Sequence, residues 1–226
     1  MGIDFFINNP GATWQQFLNM VPKTPCENTK VLMANNEVKN VVQDLKNHTG
    51  SGEKGWKFNK TGAPTQTTEN GDHSVNFGDP SLLTGGYHKH TTTGAKTFSA
   101  TDISTLLEIA RYNGVANPTN VFMGVVIPVD MHYVIRFTAS QGDLPAFGTF
   151  SPEQLKQWNK EQWKQYLDLL LDNSLTMNEK IEQIFFSTLK KMGLQNKVIL
   201  QKIDSENKVF TISENTDGST TPILCN

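Results

Sequence analysis

Tyr87-His88-Lys89-His90 sets two imidazoles two residues apart, and that spacing makes a geometric demand. In an extended strand residues i and i+2 project to the same side, so His88 and His90 face one point in space. The chain then runs through Thr91-Thr92-Thr93-Gly94-Ala95-Lys96-Thr97-Phe98 to Ser99-Ala100-Thr101-Asp102. There Ser-x-x-Asp opens an apolar helical pattern. A strand, a small polar loop and a helix in that order can bring Asp102 back to the two rings. Two imidazoles, one carboxylate and an open fourth position describe a catalytic zinc site. Two plainer readings stand beside it. His-x-His pairs occur by chance on exposed strands, and Ser99-x-x-Asp102 also reads as a helix capping box, with Asp102 favoured at the positive helix end.

Hydrolysis at such a site needs a group that takes a proton from water and passes it to the leaving amine. Glu53 is the first candidate, because it opens a strand directly after a helix and Gly55 leaves room beside it. Glu69 is the second, in loop-like sequence. Glu37 lies within a helix and reads as a solvated carboxylate.

The surrounding chain contains helices and strands in alternation. Over 28–47, Val31, Leu32, Ala34, Val38, Val41, Val42 and Leu45 recur at helical spacing, and Thr49-Gly50-Ser51-Gly52 stops the pattern. Glu53–Phe58 reads as a strand. Residues 59–86 read as a long loop with one strand near Ser74–Phe77; loops of this length are commonly functional or mobile. A second helix spans Ser99–Asn113, with Ile103, Leu106, Leu107 and Ala110 as its apolar face and Gly114 at its end. Val121–Pro128 and Met131–Phe137 read as a hairpin joined by Val129-Asp130, and 141–150 as a linker. Ser151-Pro152-Glu153-Gln154 is a strong helix start. That helix is expected to bury Leu155, Trp158, Trp163, Tyr166, Leu167 and Leu170 as core. Thr176-x-x-Glu179 opens another helix, ended by Gly193. Strands are expected at Val198–Ile203 and Lys208–Ile212, followed by a polar tail. The pattern predicts an N-terminal arm over 1–27, with Trp14, Phe17, Leu18, Met20 and Val21 available to pack. A catalytic region follows over 28–150, then an accessory region over 151–226. The class is α/β or α+β, not a bundle or a sandwich.

Composition narrows the partners. The formal net charge is −2 and no Lys/Arg run occurs, which disfavours nucleic acid. Apolar runs fall short of a membrane span. The N-terminus lacks the layout of a signal peptide, and Phe6 stands where a myristoylation start needs Ser or Thr. Met1 also reads as a trimmed start. Localisation stays open between the cytoplasm and export within a larger protein, and oligomeric state is open. Cys26 and Cys225, 199 positions apart, are either two free thiols or one disulfide, and form no zinc motif. His73, His132 and His48 read as loop, structural and helix-end histidines, and Lys89 should point away from its two neighbours. No P-loop and no Pro-Cys-x-x-Cys deaminase signature is present.

Glu, then a gap, then His-x-His, a spacer and Ser-x-x-Asp resembles the signature of the JAMM (JAB/MPN-type) zinc metalloproteases over residues 28–140. The resemblance implies a cytidine-deaminase-like, JAMM-type α/β sandwich, a mixed sheet flanked by helices, with 151–226 as an α+β extension. It implies Zn²⁺ held by His88, His90 and Asp102. Glu53 would be the general base, and Ser99 the donor to the oxyanion. The reaction implied is hydrolysis of an amide or isopeptide bond in a protein or peptide. Eight residues separate His90 from Ser99 where the family usually has seven, and Thr91 stands where a proline is frequent. In style the chain is also similar to the C-terminal ends of larger bacterial surface or toxin-type proteins. The alternatives are a silent JAMM-like binding module and a different metallohydrolase, such as a nuclease or a toxin-type effector.

Overall fold

The structure, a computed structural model, describes residues 6–14, 23–69, 74–91, 96–113, 120–127 and 131–226, apart from the side chains of Thr68 and Glu69. Gly114, Pro128, Val129, Asp130, His73, and Phe17, Leu18, Met20 and Val21 lie outside these residues. An eight-stranded sheet organises the rest. Its strands are β1 (Lys54–Asn59), β2 (Thr65–Gln66), β5 (Leu83–Lys89), β6 (Phe122–Val126), β7 (His132–Phe137), β8 (Val198–Ile203), β9 (Val209–Glu214) and β10 (Thr220–Leu224). Their order across the sheet is β10-β9-β8-β7-β6-β5-β1-β2. Neighbours are antiparallel except β5 and β6, which run parallel. β3 (Thr68–Glu69) and β4 (Val75–Asn76) form a separate small pair.

Strand periodicity sends alternate residues to opposite helical layers. On one face α1 (Pro25–Ala34) and α2 (Asn36–Asn47) bury Met33, Val38, Val41 and Leu45 against Tyr87, Phe122, Val126 and Val134. On the other face α3 (Ala100–Tyr112) and α5 (Met177–Met192) cover Met123, Val125, Ile135 and Phe137, with α4 (Pro152–Leu170) joining that layer. Every residue of β6 and β7 is therefore buried, as expected for strands covered on both sides.

Several expectations shift in detail. The helix expected over 28–47 is two, because Asn35 ends α1 and caps α2, its Oδ1 accepting from Glu37 N at 2.8 Å. Thr24-Pro25-x-Glu27 supplies a capping box for α1. Gly85 and Gly86 lie inside β5 rather than before it, since a side chain at Gly86 would collide with the Phe77 ring. β7 pairs directly with β8, from His132 opposite Ile203 to Phe137 opposite Val198. The sheet thus runs unbroken across residue 150. The expected polar tail contains β10, an edge strand paired with β9 from Thr220 to Leu224.

The α4 helix corrects the expected core. Trp163, Leu167 and Leu170 are 38%, 43% and 38% exposed, not buried. The helix docks instead through Leu155, Trp158, Gln162 and Tyr166. Both stripes have helical spacing, and the docking one carries a polar residue whose partners come from other elements. Trp14 is also exposed and stacks on Phe6 with ring centroids 6.0 Å apart.

Cys26, on α1, is disulfide-bonded to Cys225, just past β10. Their Cα atoms are 5.5 Å apart, within the normal range for a bridge. The last strand is so tied to the first described long helix.

Candidate metal centre

β5 carries His88 on the face covered by α3 and Tyr87 and Lys89 on the face covered by α2. His88 packs edge-on against Phe77 and Phe98, with ring centroids 6.0 and 6.5 Å away. Beyond the strand end, His90 returns to the same side, and its Nε2 lies 2.8 Å from His88 Nε2. Both residues are buried, His88 to 1% exposure.

Two carboxylates approach this pair from separate elements. Asp102 arrives from the first turn of α3, with Oδ1 3.5 Å from His88 Nε2 and Oδ2 3.7 Å from His90 Nε2. Glu53 immediately precedes β1. The β1–β5 register pairs Lys54 with Lys89, so one further step sets Glu53 across from His90. Glu53, His88 and His90 form a buried group whose ligand atoms all lie within 4.8 Å of one another. That group could hold a metal ion. Glu37 is exposed on α2, and the side chain of Glu69 lies outside the described residues. The space at Gly55 is taken by Thr67, whose Oγ1 donates to Gly55 O at 3.1 Å.

The donor set fits a small cation. A tetrahedral ion with bonds of about 2.0–2.1 Å keeps its ligand atoms roughly 3.3 Å apart. The ring nitrogens of His88 and His90 are 2.8 Å apart, and Asp102 sets one oxygen 3.5 Å from the first and its other oxygen 3.7 Å from the second, which scatter around that spacing. A shared proton would account for the contact between the two rings alone. A cation accounts for both rings and the carboxylates turned towards them. Burial would push the Asp102 carboxyl up, but the charge of His88 and hydrogen bonds from both histidines outweigh it and hold the group well below the usual carboxylate range. His88 Nδ1 is buried and has no hydrogen-bond partner among the described residues.

Ser99 acts locally. It caps α3 in a full capping box, its Oγ accepting from Asp102 N at 3.1 Å while Ser99 N and Oγ each donate to Asp102 Oδ2 at 2.8 Å. The carboxylate orientation is thereby set by the helix start itself.

A cavity of about 540 Å³ opens beside these groups, within the size range of small-ligand sites. Glu53, His90, Ser99 and Asp102 line it together with Asn159 and Trp163 of α4. The sequence suggests the C-terminal helices as walls of a groove, but singles out no residue of α4 for the site. Asn159 Oδ1 accepts from Ala100 N at 2.9 Å and its Nδ2 donates to Thr101 Oγ1 at 3.0 Å. Gln162 Nε2 donates to Phe98 O at 2.9 Å and to Thr188 Oγ1 at 2.8 Å. These bonds clamp the start of α3, and so Asp102, from outside the helix. No local motif announces them, because both partners are ordinary polar residues about sixty positions away.

The remaining histidines are structural where described. His132 Nδ1 is hydrogen-bonded to Tyr87 Oη at 3.0 Å, and burial, with a smaller contribution from Lys46, pushes its pKa down to about 3. His48 ends α2 and its Nε2 lies 3.0 Å from Gly52 O. Lys89 points away from the site and donates to Lys46 O and His48 O at 3.2 and 2.5 Å, satisfying carbonyls at the C-terminus of α2. His73 lies outside the described residues. Among the described residues no helix is long and apolar enough to cross a membrane.

Comparison with protein-family models, with curated proteins and with solved structures found no match.

Proposed function

We propose that the chain is a zinc-dependent peptidase or isopeptidase of JAMM type. The observation that supports this most is the convergence of His88 Nε2 and His90 Nε2 on one point, with carboxylates from two other elements turned to the same point. His88, His90 and Asp102 would hold the ion. Zinc in such a site polarises a carbonyl and makes water acidic enough to attack near neutral pH.

The remaining work falls to the protein. Glu53 takes a proton from the attacking water as the new C–O bond forms. It returns that proton to the amine nitrogen as the C–N bond breaks, so the carboxylate ends unchanged. Ser99 keeps Asp102 aligned, and α4 closes one side of the cavity. The near-neutral charge of the chain and the absence of a basic run favour a protein or peptide substrate over nucleic acid.

Glu53→Gln separates ligand from base. The variant should bind zinc like the wild type, while turnover of zinc-loaded protein falls by about 10²–10⁴-fold. His90→Ala should lose zinc in a chelator competition. Zinc loss in Glu53→Gln would place Glu53 among the ligands. Zinc binding without hydrolysis in the wild type would leave a binding module.

A further inference from the structure

One apolar stripe of α4 stays out of the core. Trp163, Leu167 and Leu170 recur at spacings of four and three, so they share one helix face. All three are exposed, and Leu171 at the helix end is more exposed still. Two observations tie this stripe to the site. Trp163 lines the cavity beside the histidines, together with Asn159 and Gln162, so the stripe begins in the cavity wall. Leu167 and Leu170 lie about one and two turns further along the same face, leading out of the cavity. The Trp163 ring is also held in place. It stacks on the buried Tyr166, with ring centroids 5.6 Å apart and planes 22° apart. An aromatic wall fixed before a ligand arrives loses little freedom on binding.

Spacing and area define what fits there. Trp163 and Leu167 are about 6 Å apart along the helix axis. In an extended chain, side chains two residues apart point the same way and lie about 6.6 Å apart. An extended segment laid along α4 therefore puts alternate side chains on Trp163 and Leu167, and a third reaches Leu170 and Leu171. At their observed exposures the four side chains offer roughly 400 Å², whereas a stable dimer buries about 800 Å² on each partner. That area matches a short peptide segment better than a second copy of the chain.

We infer that Trp163, Leu167 and Leu170 form a specificity surface that takes an extended segment of the substrate polypeptide, with large apolar side chains at alternate positions on one side of the bond to be cut. This rests on the peptidase reading above. The stripe lies outside the reacting groups, so it holds substrate and transition state alike. Its contribution is to binding, and it shows in KM rather than in kcat.

The test uses the full zinc-loaded chain and Leu167→Ser, a change at an exposed position. The substrates are two internally quenched peptide libraries, one with Leu at alternate positions and one with Ser there. The wild type should cleave the Leu library with kcat/KM about tenfold higher, the low end for an apolar contact. Leu167→Ser should raise KM for that library about tenfold at unchanged kcat, and so bring the two libraries together. Equal cleavage of both by the wild type, or an unaltered preference in Leu167→Ser, would overturn the role of the stripe and leave the peptidase reading standing. Binding is read separately, as the anisotropy of a fluorescent Leu-alternating peptide added to Glu53→Gln. If the wild type cleaves neither library, yet the peptide binds and Leu167→Ser in that background weakens it about tenfold, the stripe stands and the peptidase reading fails. Neither cleavage nor binding overturns both. A dimer in sedimentation that Leu167→Ser dissociates would give the face to a second copy and overturn the proposal.

Discussion

The two faces of β5 differ in how their polar groups are satisfied. On the α2 face Tyr87 Oη is hydrogen-bonded to His132 Nδ1, and Lys89 Nζ donates to two carbonyls of the α2 terminus. Arg136, on the same face of β7, gives Nε to Thr29 Oγ1 at 2.7 Å and another donor to Asn120 O at 3.1 Å. Across the strand, His88 Nδ1 and Thr97 Oγ1 are buried without partners among the described residues, and two ring nitrogens point at each other. A buried polar group with a protein partner is explained by the fold. Convergent groups with unmet bonding capacity ask for something the fold does not contain. The contrast separates His132, whose ring is bonded to Tyr87, from the His88–His90 pair, whose ring nitrogens converge on one point.

Changes on the structural face should therefore move stability and leave zinc affinity alone. The largest such effect is expected from the disulfide. Closing a loop of about 200 residues between Cys26 and Cys225 stabilises by up to about 5 kcal/mol in the chain-entropy picture. Reduction should lower the denaturation midpoint accordingly, with zinc affinity unchanged in the protein that remains folded. The bond has lasting effect only where the surroundings are oxidising.

Acid comes next. His132 has its pKa pushed down to about 3 in the folded chain, against about 6.5 unfolded. Between those values the unfolded state binds a proton that the folded state does not, so stability is full above pH 6.5 and falls as pH drops. The loss from pH 6.5 to 5 is about 2 kcal/mol from this group. His132→Gln should flatten that part of an equilibrium unfolding series; an unchanged slope would assign the acid sensitivity elsewhere.

Asn159→Ala sharpens the contrast from the other side. It removes the acceptor for Ala100 N, beside the Asp102 turn. Zinc affinity should fall about tenfold, the low end for outer-shell changes, whereas Leu155→Ala on the same helix should cost stability and spare zinc. Equal zinc loss in both would mean that α4 acts only through overall stability. The smallest effect is Lys89→Met. It strips a cation from the α2 terminus and should cost about 0.3–1 kcal/mol, read from the urea midpoint, even though Lys89 stands between the two site histidines.

Much of this was legible along the chain. Capping boxes at Ser99 and Thr176, the Ser151-Pro152 start and the stop at Gly193 mark helices within a residue or two of their observed ends, because caps are local hydrogen-bond chemistry. His88 and His90 share a side for the same local reason. The α4 docking face was hidden, since Gln162 sits in its middle and Trp163, Leu167 and Leu170 make the more apolar stripe. β10 was hidden as well. Its Thr-Thr-Pro start reads as tail, and an edge strand needs only one partner to form.

The sequence by itself determined which residues could meet. It aimed two imidazoles one way, put a carboxylate in the first turn of a helix, and supplied a glutamate ahead of a strand. Only the tertiary structure decided what each group does with its bonding capacity. It joined Cys26 to Cys225, brought α4 onto the start of α3, engaged the Ser99 hydroxyl with Asp102 and left the Thr97 hydroxyl without a partner among the described residues. The reason is physical. Periodicity and capping act over three or four residues, whereas pairing and burial are settled by neighbours that lie tens to hundreds of positions away.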